Sequence, residues 1–505
     1  MTLQRVLPAT GEWALDTAAE TRAIEQRAAA ALPPHTLMRR AGASVASLAL
    51  AIAPHARRVG LVAGPGNNGG DALEAAIHLM QRGLAVEVAL VDALPRRPAD
   101  AQAALERAQA AGVRIGVHRA TPVASADLPD LAIDGLLGAG LSRPPTGAIA
   151  AAIHALNALA CPVLAIDLPS GLHADTGQPP GDACVRATHT LAILTLKPGM
   201  FTGAGRDHIG TPWLDTLGID APARPPGAWL SGLGAEGRPL ARRHVQHKGS
   251  FGDVAVIGGA AGMVGASLLA ARAAHAAGAG RVYVELLDAS PGAPAVDLLR
   301  PELMFRVDWS QSAPEVLARA TVVCGCGGGD AVRARLPMLL RRAGRLVLDA
   351  DALNAIAGDT ALATLLRTRA ARGQATVLTP HPLEAARLLG CTSAEVQADR
   401  LAAAHELMQR HVCVVVLKGS GTVVAAPGQV PRINATGNAS LASAGTGDVL
   451  AGWLAGRWSP QARGDEAAIA FAAAVRAVAE HGAAADPPAT GALRAGDLIE
   501  RLHRR

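Results

Sequence analysis

The chain has 505 residues, which predicts two or three domains rather than one ordinary core. Half of the residues are apolar but only 2% are aromatic, a composition that favours α/β domains packed from Ala, Leu and Val over a β-sandwich. The net charge of +5 comes from scattered arginines with no basic run interleaved with aromatic residues, which excludes nucleic acid as an expected partner.

The sequence predicts a cytoplasmic protein with no membrane partner. No stretch reaches the roughly 20 apolar residues that a membrane span needs. The N-terminus carries Glu12, Asp16 and Glu20 where a signal peptide would need an apolar run. The six cysteines form no CxxC pair, so reduced thiols are the simplest account.

The first half of the chain alternates helical and strand patterns. Helical patterns near Leu15–Leu32 and Thr36–Ile52 precede a strand at Val59–Ala63, a glycine loop and a helix from Asp71. Further strands are predicted at Val86–Leu90, Leu131–Asp134, Val163–Asp167 and Thr190–Leu194. This order predicts a mostly parallel, doubly wound sheet in a Rossmann-like three-layer sandwich.

The glycine loop joins the strand to the helix within Gly60–Ala76. Gly64, Gly66 and Gly69 fit the GxGxxG spacing of a dinucleotide fold, but such a match alone is a weak signal. Asp71 is predicted to occupy the helix start, where it serves either a ligand or only as an N-cap.

Three strand ends in this half carry hard oxygen ligands. Because the carboxyl ends of neighbouring parallel strands meet at one edge of a sheet, Asn68, Asp134 and Asp167 are expected to lie side by side. With Ser170 added, the group suits a small monovalent cation. The alternative is that the aspartates are only turn residues.

The stretch from Gly218 to Pro239 is rich in Pro, Gly and Ala and separates two α/β alternations. We expect domains at 1–218 and 229–505, joined by a linker at 219–228. Strands of the second domain are predicted at Val254–Ile257, Val282–Glu285, Thr321–Cys324, Arg345–Leu348, Thr376–Leu378 and Val412–Leu417. The alternation again predicts a doubly wound, mostly parallel sheet.

Lysine usage singles out three turns. Only three of the 47 basic residues are lysines, Lys197, Lys248 and Lys418, and each precedes Gly or Pro-Gly. A retained lysine in an Arg-biased chain indicates a need for a compact ammonium near phosphate or carbonyl groups, although chance retention is the alternative.

The second half contains a glycine turn that opens into a helix at Asn438–Gly452. Backbone N–H groups at such a helix start face an anion, and Asp448 sits at the same turn as a proton acceptor. The Lys418 turn and this helix are expected to form two sides of a nucleotide pocket, although the chain has no Walker motif. The turn therefore indicates phosphoryl chemistry.

Two further signals in this half are ambiguous. Cys324 and Cys326 form a CxC pair with no partner spaced for a metal, so they are expected to be loop cysteines. His381 lies at a predicted helix start, where it serves either an anionic ligand or only as a cap.

The motifs GPGNNGGDA, DGLLGAGL and DLPSGLHADTG resemble the N-terminal domain of the NAD(P)H-hydrate epimerases over about the first 215 residues. The resemblance implies that Asp167 acts in proton transfer and that Asn68, Asp134 and Ser170 bind K⁺. It further implies a substrate site lined by Asn67, Asn68, Gly69, Gly70, Asp71, Gly138, Ala139, Gly140, Leu141, Ser142, Arg143 and Pro144. Ala72 and His173 depart from the usual pattern, which has Gly and Asp there.

The motifs HKGSFGDVAVIGG, TPHPLEAARL, LKGSGT and NASLASAGTGDVLAG resemble the ADP-dependent NAD(P)H-hydrate dehydratases of the ribokinase-like superfamily, from about Trp229 onward. The resemblance implies Mg²⁺ with an adenine nucleotide held by Lys418, Gly419, Ser420, Gly421, Thr422 and Gly447. It implies substrate contacts at Ala266, Gly327, His381 and Asp448. The family's usual Gly-Pro-Gly-Leu-Gly loop is altered here, with Cys326 and Gly328 in the variable places.

Together the two resemblances imply a fused enzyme that repairs hydrated NADH and NADPH. The N-terminal domain is expected to interconvert the R and S hydrates, and the C-terminal domain to dehydrate the S form with ADP, giving AMP and phosphate. The alternative is a ribokinase-like small-alcohol kinase fused to a dinucleotide sensor or to a partner-binding module. We also expect a homo-oligomer, and the sequence leaves open the preference between NADH and NADPH hydrates.

Overall fold

The computed structural model describes residues 3–91, 97–117, 128–220, 222–234, 243–288, 290, 292–486 and 491–504. The chain divides into two compact units, Met1–Pro8 with Trp13–Leu230, and Ala9–Glu12 with Ser231–Arg505. The expected linker at 219–228 falls within the first unit in this division. The domain limits 1–218 and 229–505 remain a prediction, because compactness does not measure independent folding.

The first unit contains a sheet with helices on both faces. The strands that precede the division along the chain are β1 (Gln4–Arg5), β2 (Glu12–Leu15), β3 (Arg58–Ala63), β4 (Ala85–Leu90), β5 (Arg114–Val117), β6 (Leu131–Gly135), β7 (Val163–Ile166), β8 (His189–Ile193), β9 (Thr211–Asp215) and β10 (Ala228–Ser231). Of these, β2 and β10 cross the division and are not strands of the first sheet. The helices are α1 (Ala18–Ala31), α2 (Thr36–Ile52), α3 (Asn67–Gln81), α4 (Ala99–Ala110), α5 (Gly147–Asn157) and α6 (Gly205–His208).

The first sheet has the strand order β1-β9-β8-β7-β6-β3-β4-β5. All neighbours pair in parallel except β1 and β9. Side chains of α2, α3 and α4 form one core with β3 and β4, whereas α5 forms a second core with β6 and β7. The predicted doubly wound α/β sandwich is confirmed.

The second unit is also a sheet between helices. Its strands are β11 (Asp253–Gly258), β12 (Arg281–Leu286), β13 (Met304–Phe305), β14 (Thr321–Cys324), β15 (Arg345–Leu348), β16 (Ala375–Leu378), β17 (Val414–Leu417), β18 (Val423–Ala425) and β19 (Arg432–Asn434). Its helices are α7 (Val264–Ala276), α8 (Pro314–Arg319), α9 (Leu336–Arg342), α10 (Ala350–Ala357), α11 (Thr360–Arg367), α12 (Pro382–Leu389), α13 (Ser393–Ala398), α14 (Arg400–His411), α15 (Thr446–Trp458), α16 (Glu466–Ala483) and α17 (Ala495–His503).

Within the second sheet, the strands that follow the division lie in the order β13-β12-β11-β14-β15-β16-β17-β18-β19. Its pairs are parallel from β13 to β17 and antiparallel from β17 to β19. Helices α7, α15, α16 and α17 share one buried core against this sheet. Helix α15 packs closely on α7, because a Cβ atom at Gly452 would lie only 1.9 Å from the carbonyl oxygen of Ala270.

The strands that carry the motifs were predicted correctly, but the predicted first residue of helix α3 was wrong. Each predicted strand has an observed counterpart, and the Thr36–Ile52 pattern matches α2. Helix α3 begins at Asn67 rather than at Asp71, with Gly66 as its N-cap. Asp71 therefore lies in the second turn and is not a capping residue. None of the helices in the described part of the chain combines the length and the apolar character that a membrane span requires.

Candidate active sites

The first candidate site lies at the carboxyl edge of the first sheet. Strands β7, β6 and β3 are neighbours, so Asp167 after β7, Asp134 at the end of β6 and Asn68 after β3 meet at one edge. This is the crevice in which open α/β sheets bind ligands. The predicted grouping of these three residues is therefore observed.

Asp134 and Ser170 form a buried polar cluster with Asn68. The Asp134 carboxylate accepts hydrogen bonds from the Ser170 backbone N–H at 2.8 Å and from the Ser170 hydroxyl at 2.6 Å. Ser170 Oγ also accepts from the Leu137 N–H at 2.8 Å, and Asn68 Nδ2 donates to the Leu137 carbonyl at 2.9 Å. Leu137 thus links the three predicted cation ligands.

The Asp134 carboxylate is buried, and no cationic side chain from the described part of the chain compensates it. It is 0% exposed, and burial raises its pKa to about 6 although hydrogen bonds from Ser170 and Leu136 lower it. No Lys or Arg of the described residues contributes to this balance. Several oxygen atoms around an uncompensated carboxylate are the surroundings that a small cation would stabilise.

Asp167 is held by Lys197, a pairing that sequence reasoning missed. Asp167 adopts a left-handed backbone conformation with φ 64°. Its Oδ1 accepts a hydrogen bond from Lys197 Nζ, which also donates to the carbonyls of Ile193 at 3.0 Å and Thr195 at 2.9 Å. The Lys197 side chain is fully buried and the Asp167 side chain is 16% exposed. The carboxylate therefore joins a buried ammonium to the open face of the site. The only sequence signal for this pairing was the retention of Lys197 in an Arg-biased chain.

The loop Gly138–Pro144 lies beside Asp167. A Cβ atom at Gly138 would lie 3.4 Å from Asp167 Oδ2 and 3.7 Å from the Asn68 side chain. The Ala139 N–H donates to Asp167 Oδ2 at 3.3 Å. The rest of the loop is partly or fully exposed and consists of Gly140, Leu141, Ser142, Arg143 and Pro144. Among the described residues, no side-chain hydrogen bond joins these five residues to the Asp134 cluster.

The first turn of α3 supplies the other predicted lining residues. Asn67 is exposed, whereas Gly69 and Gly70 are buried behind it. One turn later, burial raises the pKa of Asp71 well above its ordinary value, and the nearby carboxylates of Asp167 and Glu25 raise it further. Burial also raises the pKa of Glu25 on α1, a residue that no sequence motif marked. The site thus has an excess of carboxylates.

The second candidate site lies at the carboxyl edge of the second sheet. Lys418 follows β17, and its Nζ donates to Asp349 Oδ1, after β15, at 2.7 Å. The Thr379 hydroxyl, after β16, donates to the same oxygen at 2.9 Å. Asp349 is only 2% exposed, so the buried pair fixes the position of the ammonium.

Asp448 lies next to this pair. The carboxylates of Asp349 and Asp448 and the sulfur of Cys326 offer atoms that all lie within 4.8 Å of one another. A Cβ atom at Gly447 would lie 3.3 Å from Lys418 Nζ. Burial and the Asp349 carboxylate raise the pKa of Asp448 to about 6, so it is an ionised acceptor at neutral pH. The structure therefore brings the Lys418 turn and the α15 start together.

The Lys418–Thr422 turn is supported from behind by Arg400, which sequence reasoning missed. Arg400 is 1% exposed and donates to the carbonyls of Leu417 at 3.0 Å and Lys418 at 3.1 Å. The Thr422 hydroxyl donates to the Gly419 carbonyl at 3.1 Å and closes the turn. Ser420 is exposed at its tip and Gly421 is buried. No glycine motif marks Arg400, because its contacts depend on the tertiary fold.

His381 acts as a helix cap in this structure. Its Nδ1 accepts from the backbone N–H groups of Leu383 at 3.1 Å and Glu384 at 3.4 Å, and its Nε2 lies 3.2 Å from Glu384 Oε1. The ring remains about half exposed, so the capping role leaves one face open to a ligand.

The remaining predicted substrate contacts, Gly327 and Ala266, lie together. A Cβ atom at Gly327 would lie 3.0 Å from the Ala266 Cβ. Cys324, two residues before Cys326, is not part of the carboxylate cluster, so the CxC pair is not a two-cysteine metal site.

Two family models match the chain. The model described as YjeF-related protein N-terminus matches residues 34–199. The model described as NAD(P)H-hydrate dehydratase matches residues 254–503. The two matches cover the two candidate sites separately.

Full-length relatives match both halves at once. The chain is 36% identical to the bifunctional NAD(P)H-hydrate repair enzyme Nnr of Escherichia coli, over 93% of this chain and 89% of that protein. It is 36% identical to the bifunctional NAD(P)H-hydrate repair enzyme of Leishmania braziliensis, over 92% and 88%. A solved ADP/ATP-dependent NAD(P)H-hydrate dehydratase from Bacillus subtilis, co-crystallized with ATP/Mg²⁺, is 28% identical over 52% of this chain and 92% of that chain, with a TM-score of 0.41.

Proposed function

The chain belongs to the family of bifunctional NAD(P)H-hydrate repair enzymes, and we propose that its two units divide the two activities between them. The enzyme interconverts the R and S hydrates of NADH and NADPH and dehydrates the S form at the expense of ADP, giving AMP and phosphate. Residues 1–218 carry the epimerase and residues 229–505 the dehydratase. The observation that supports this division most directly is the presence of two separate carboxylate sites, each at the carboxyl edge of its own sheet.

Asp448 is the proton acceptor of the dehydratase in this proposal. The substrate hydroxyl oxygen attacks the terminal phosphorus of ADP, the hydroxyl proton passes to the Asp448 carboxylate, and AMP leaves. Phosphate then departs with the electrons of the carbon–oxygen bond, and loss of a proton from the adjacent ring carbon restores the double bond. A carboxylate with a pKa of about 6 suits this role at neutral pH.

The surrounding residues hold the two substrates. Lys418, Gly419, Ser420, Gly421, Thr422 and Gly447 bind the adenine nucleotide, supported by the ammonium of Lys418 beside the α15 start. Ala266, Gly327, His381 and Asp448 contact the hydrated dinucleotide. His381 offers the exposed face of its ring for this contact.

Magnesium accompanies the nucleotide in this proposal. Asp349 and Asp448 present the carboxylate oxygens that Mg²⁺ prefers, within 4.8 Å of each other, so the donor set fits. The ion would neutralise charge on the phosphates, while Lys418 supplies a fixed positive charge from the protein.

Asp167 transfers a proton at the hydrated carbon in the epimerase. Lys197 fixes one of its oxygens, and the other faces the loop at Gly138 and the Asn68 side chain. Asn67–Asp71 and Gly138–Pro144 line the substrate site in this proposal. The hydrogen bond from Ala139 to Asp167 supports placement of that loop against the reacting group.

Potassium is proposed to bind Asn68, Asp134 and Ser170. The buried, uncompensated Asp134 carboxylate and the adjacent Ser170 hydroxyl fit a monovalent cation. The ion would order the loops around Asp167, and it takes no part in proton transfer.

A coupled assay tests the proposed function. Purified protein is mixed with both hydrate epimers of NADH and with ADP or ATP, and the reduced nicotinamide absorbance is followed. Complete recovery with ADP is expected, because epimerisation feeds the R form to the dehydratase. Recovery of only half would remove the epimerase assignment. Accumulation of a phosphorylated product would favour the small-alcohol kinase.

The cellular setting completes the proposal. All six cysteines are free, which supports a reducing compartment and hence a cytoplasmic location. A homo-oligomer remains an expectation that size-exclusion chromatography with light scattering would test.

A further inference from the structure

One of the three retained lysines lies at neither candidate active site. Lys197 and Lys418 each pair with a carboxylate at a strand end. The remaining lysine begins a 3₁₀ turn, Lys248–Phe251, directly before β11. This turn lies at the amino edge of the second sheet, whereas the dehydratase site lies at the carboxyl edge. The six residues of β11 separate the two edges by about 20 Å.

Lys248 lines an open cavity with a volume of about 650 Å³. The cavity lies between the Lys248 turn, the segment that joins α7 to β12, and the end of α17. None of the described residues that line it is acidic, and its polar side chains are Arg243, Gln246, His247, Lys248, His275 and His503. The volume falls within the range of small-molecule sites, and the lining favours an anion.

Two cations at this cavity have no protein partner within the ranges that the structure describes. Lys248 and Arg243 are exposed, and neither side chain forms a hydrogen bond or an ion pair there. The carboxylate at the start of β11, Asp253, is already bound by Arg281 through hydrogen bonds of 2.7 and 2.6 Å. Both positive charges are therefore available to a ligand.

The end of α7 does not require these two cations as caps. Basic side chains often stabilise helix C-termini, and α7 ends beside the cavity at Ala276. The Ala276 carbonyl already lies 3.3 Å from His503 Nδ1, and the Ala277 carbonyl accepts from Arg457 at 3.4 Å. Other basic side chains therefore serve the helix end.

The backbone of the Lys248 turn is fixed although its side chain is free. A Cβ atom at Gly280 would lie 1.7 Å from the Lys248 carbonyl oxygen, so the turn packs directly on that glycine. His247 Nδ1 accepts from the Gly249 N–H at 3.1 Å, which leaves Nε2 as the N–H donor of the neutral ring. A turn fixed in this way loses little conformational entropy when a ligand binds.

We propose that this cavity is a further anion site of the second unit, in which Lys248 and Arg243 bind a phosphate group, either free or as a phosphate monoester. Ammonium and guanidinium groups bind phosphate oxygens through charge-assisted hydrogen bonds. The rings of His247 and His275 add polar nitrogens to the same lining. The site is separate from the proposed nucleotide pocket, because the two lie at opposite edges of the sheet.

Equilibrium dialysis of the full chain against labelled inorganic phosphate tests this site. The variants are Lys248→Met and Arg243→Met, each of which removes one of the free charges. Arg341→Met is the matched control, because Arg341 is exposed and lies outside the cavity, where its Nη1 donates to the Pro337 carbonyl at 3.5 Å. Thermal unfolding checks that each variant folds, and unlabelled AMP is added as a competitor in a second series.

The wild type should bind one phosphate more per chain than Lys248→Met does at a concentration that fills the wild-type site. Loss of either charge should weaken this site about 10- to 100-fold, the usual worth of a charge-assisted hydrogen bond, whereas Arg341→Met should follow the wild type. Displacement of the Lys248-dependent phosphate by AMP would assign the site to monoesters, and retention of it would assign the site to free phosphate. Equal binding by the wild type and Lys248→Met, or an equal loss in Arg341→Met, would overturn the inference.

Discussion

At the scale of single residues, both sites depend on how buried charges are compensated. Lys418 and Lys197 each bind a carboxylate at a strand end. Asp134 has no such cation among the described residues. In the proposed function, these differences separate the carboxylates that transfer protons from the one that binds an ion.

Lys197→Met should abolish most epimerase activity. The change leaves the Asp167 carboxylate and two backbone carbonyls without their shared donor, and breaking a buried pair costs about 3–5 kcal/mol. Lys248→Met is the matched control, because Lys248 is exposed. We expect the control to retain epimerase activity, since Lys248 lies outside the first unit. An epimerase rate for Lys197→Met equal to that of the wild type would refute the positioning of Asp167 by Lys197.

Potassium should stabilise the protein in a pH-dependent way through Asp134. The pKa of Asp134 in the folded protein, about 6, lies above the ordinary value of 3.8. Its favourable contribution to the free energy of unfolding is therefore present below about pH 4 and is lost as the pH rises through 6. A bound cation would compensate the ionised form. The Tm increase on adding K⁺ should therefore be larger at pH 7.5 than at pH 5.

Asp134→Asn provides the control for the potassium effect. The variant removes the ionising group while keeping its size, so the Tm increase should become small at both pH values. A K⁺ effect of the same size in wild type and variant would exclude Asp134 as a ligand.

At the scale of elements, the packing of α15 on α7 positions Asp448. Gly452→Ala places a methyl group against the Ala270 backbone, since the added Cβ would lie 1.9 Å from its carbonyl oxygen. Overpacking of this kind costs about 1–3 kcal/mol. Dehydratase activity and the Tm of its unfolding transition should fall while epimerase activity is retained.

Gly496→Ala on α17 is the matched control, because a Cβ atom there meets nothing within 4 Å. It should keep both activities. Full dehydratase activity in Gly452→Ala would show that the α15–α7 contact does not set the position of Asp448.

Sequence patterns predicted the elements and strand ends because local periodicity and glycine turns determine them. Asn68, Asp134 and Asp167 follow neighbouring strands, so their grouping follows from the topology. The partners of these residues were not predictable in the same way. Lys197 contacts Asp167 and Arg400 contacts the Lys418 turn only after folding. The α3 start was misplaced because Asn67 and Asn68 read as loop residues although they begin the helix.

At the scale of the whole molecule, the proposal makes the two chemistries separable. Each candidate site is built from residues of one unit. The R hydrate must pass through the first site before the second can use it, whereas the S hydrate needs only the second.

The most direct test measures both activities in Asp448→Asn and Asp167→Asn. Asp448→Asn should lower ADP-dependent dehydration of the S hydrate by about 10²- to 10⁴-fold, the usual worth of a general base, while R–S interconversion is unchanged. Asp167→Asn should show the reverse. Equal loss of both activities in either variant, with folding preserved, would contradict the division of chemistry between the two sites.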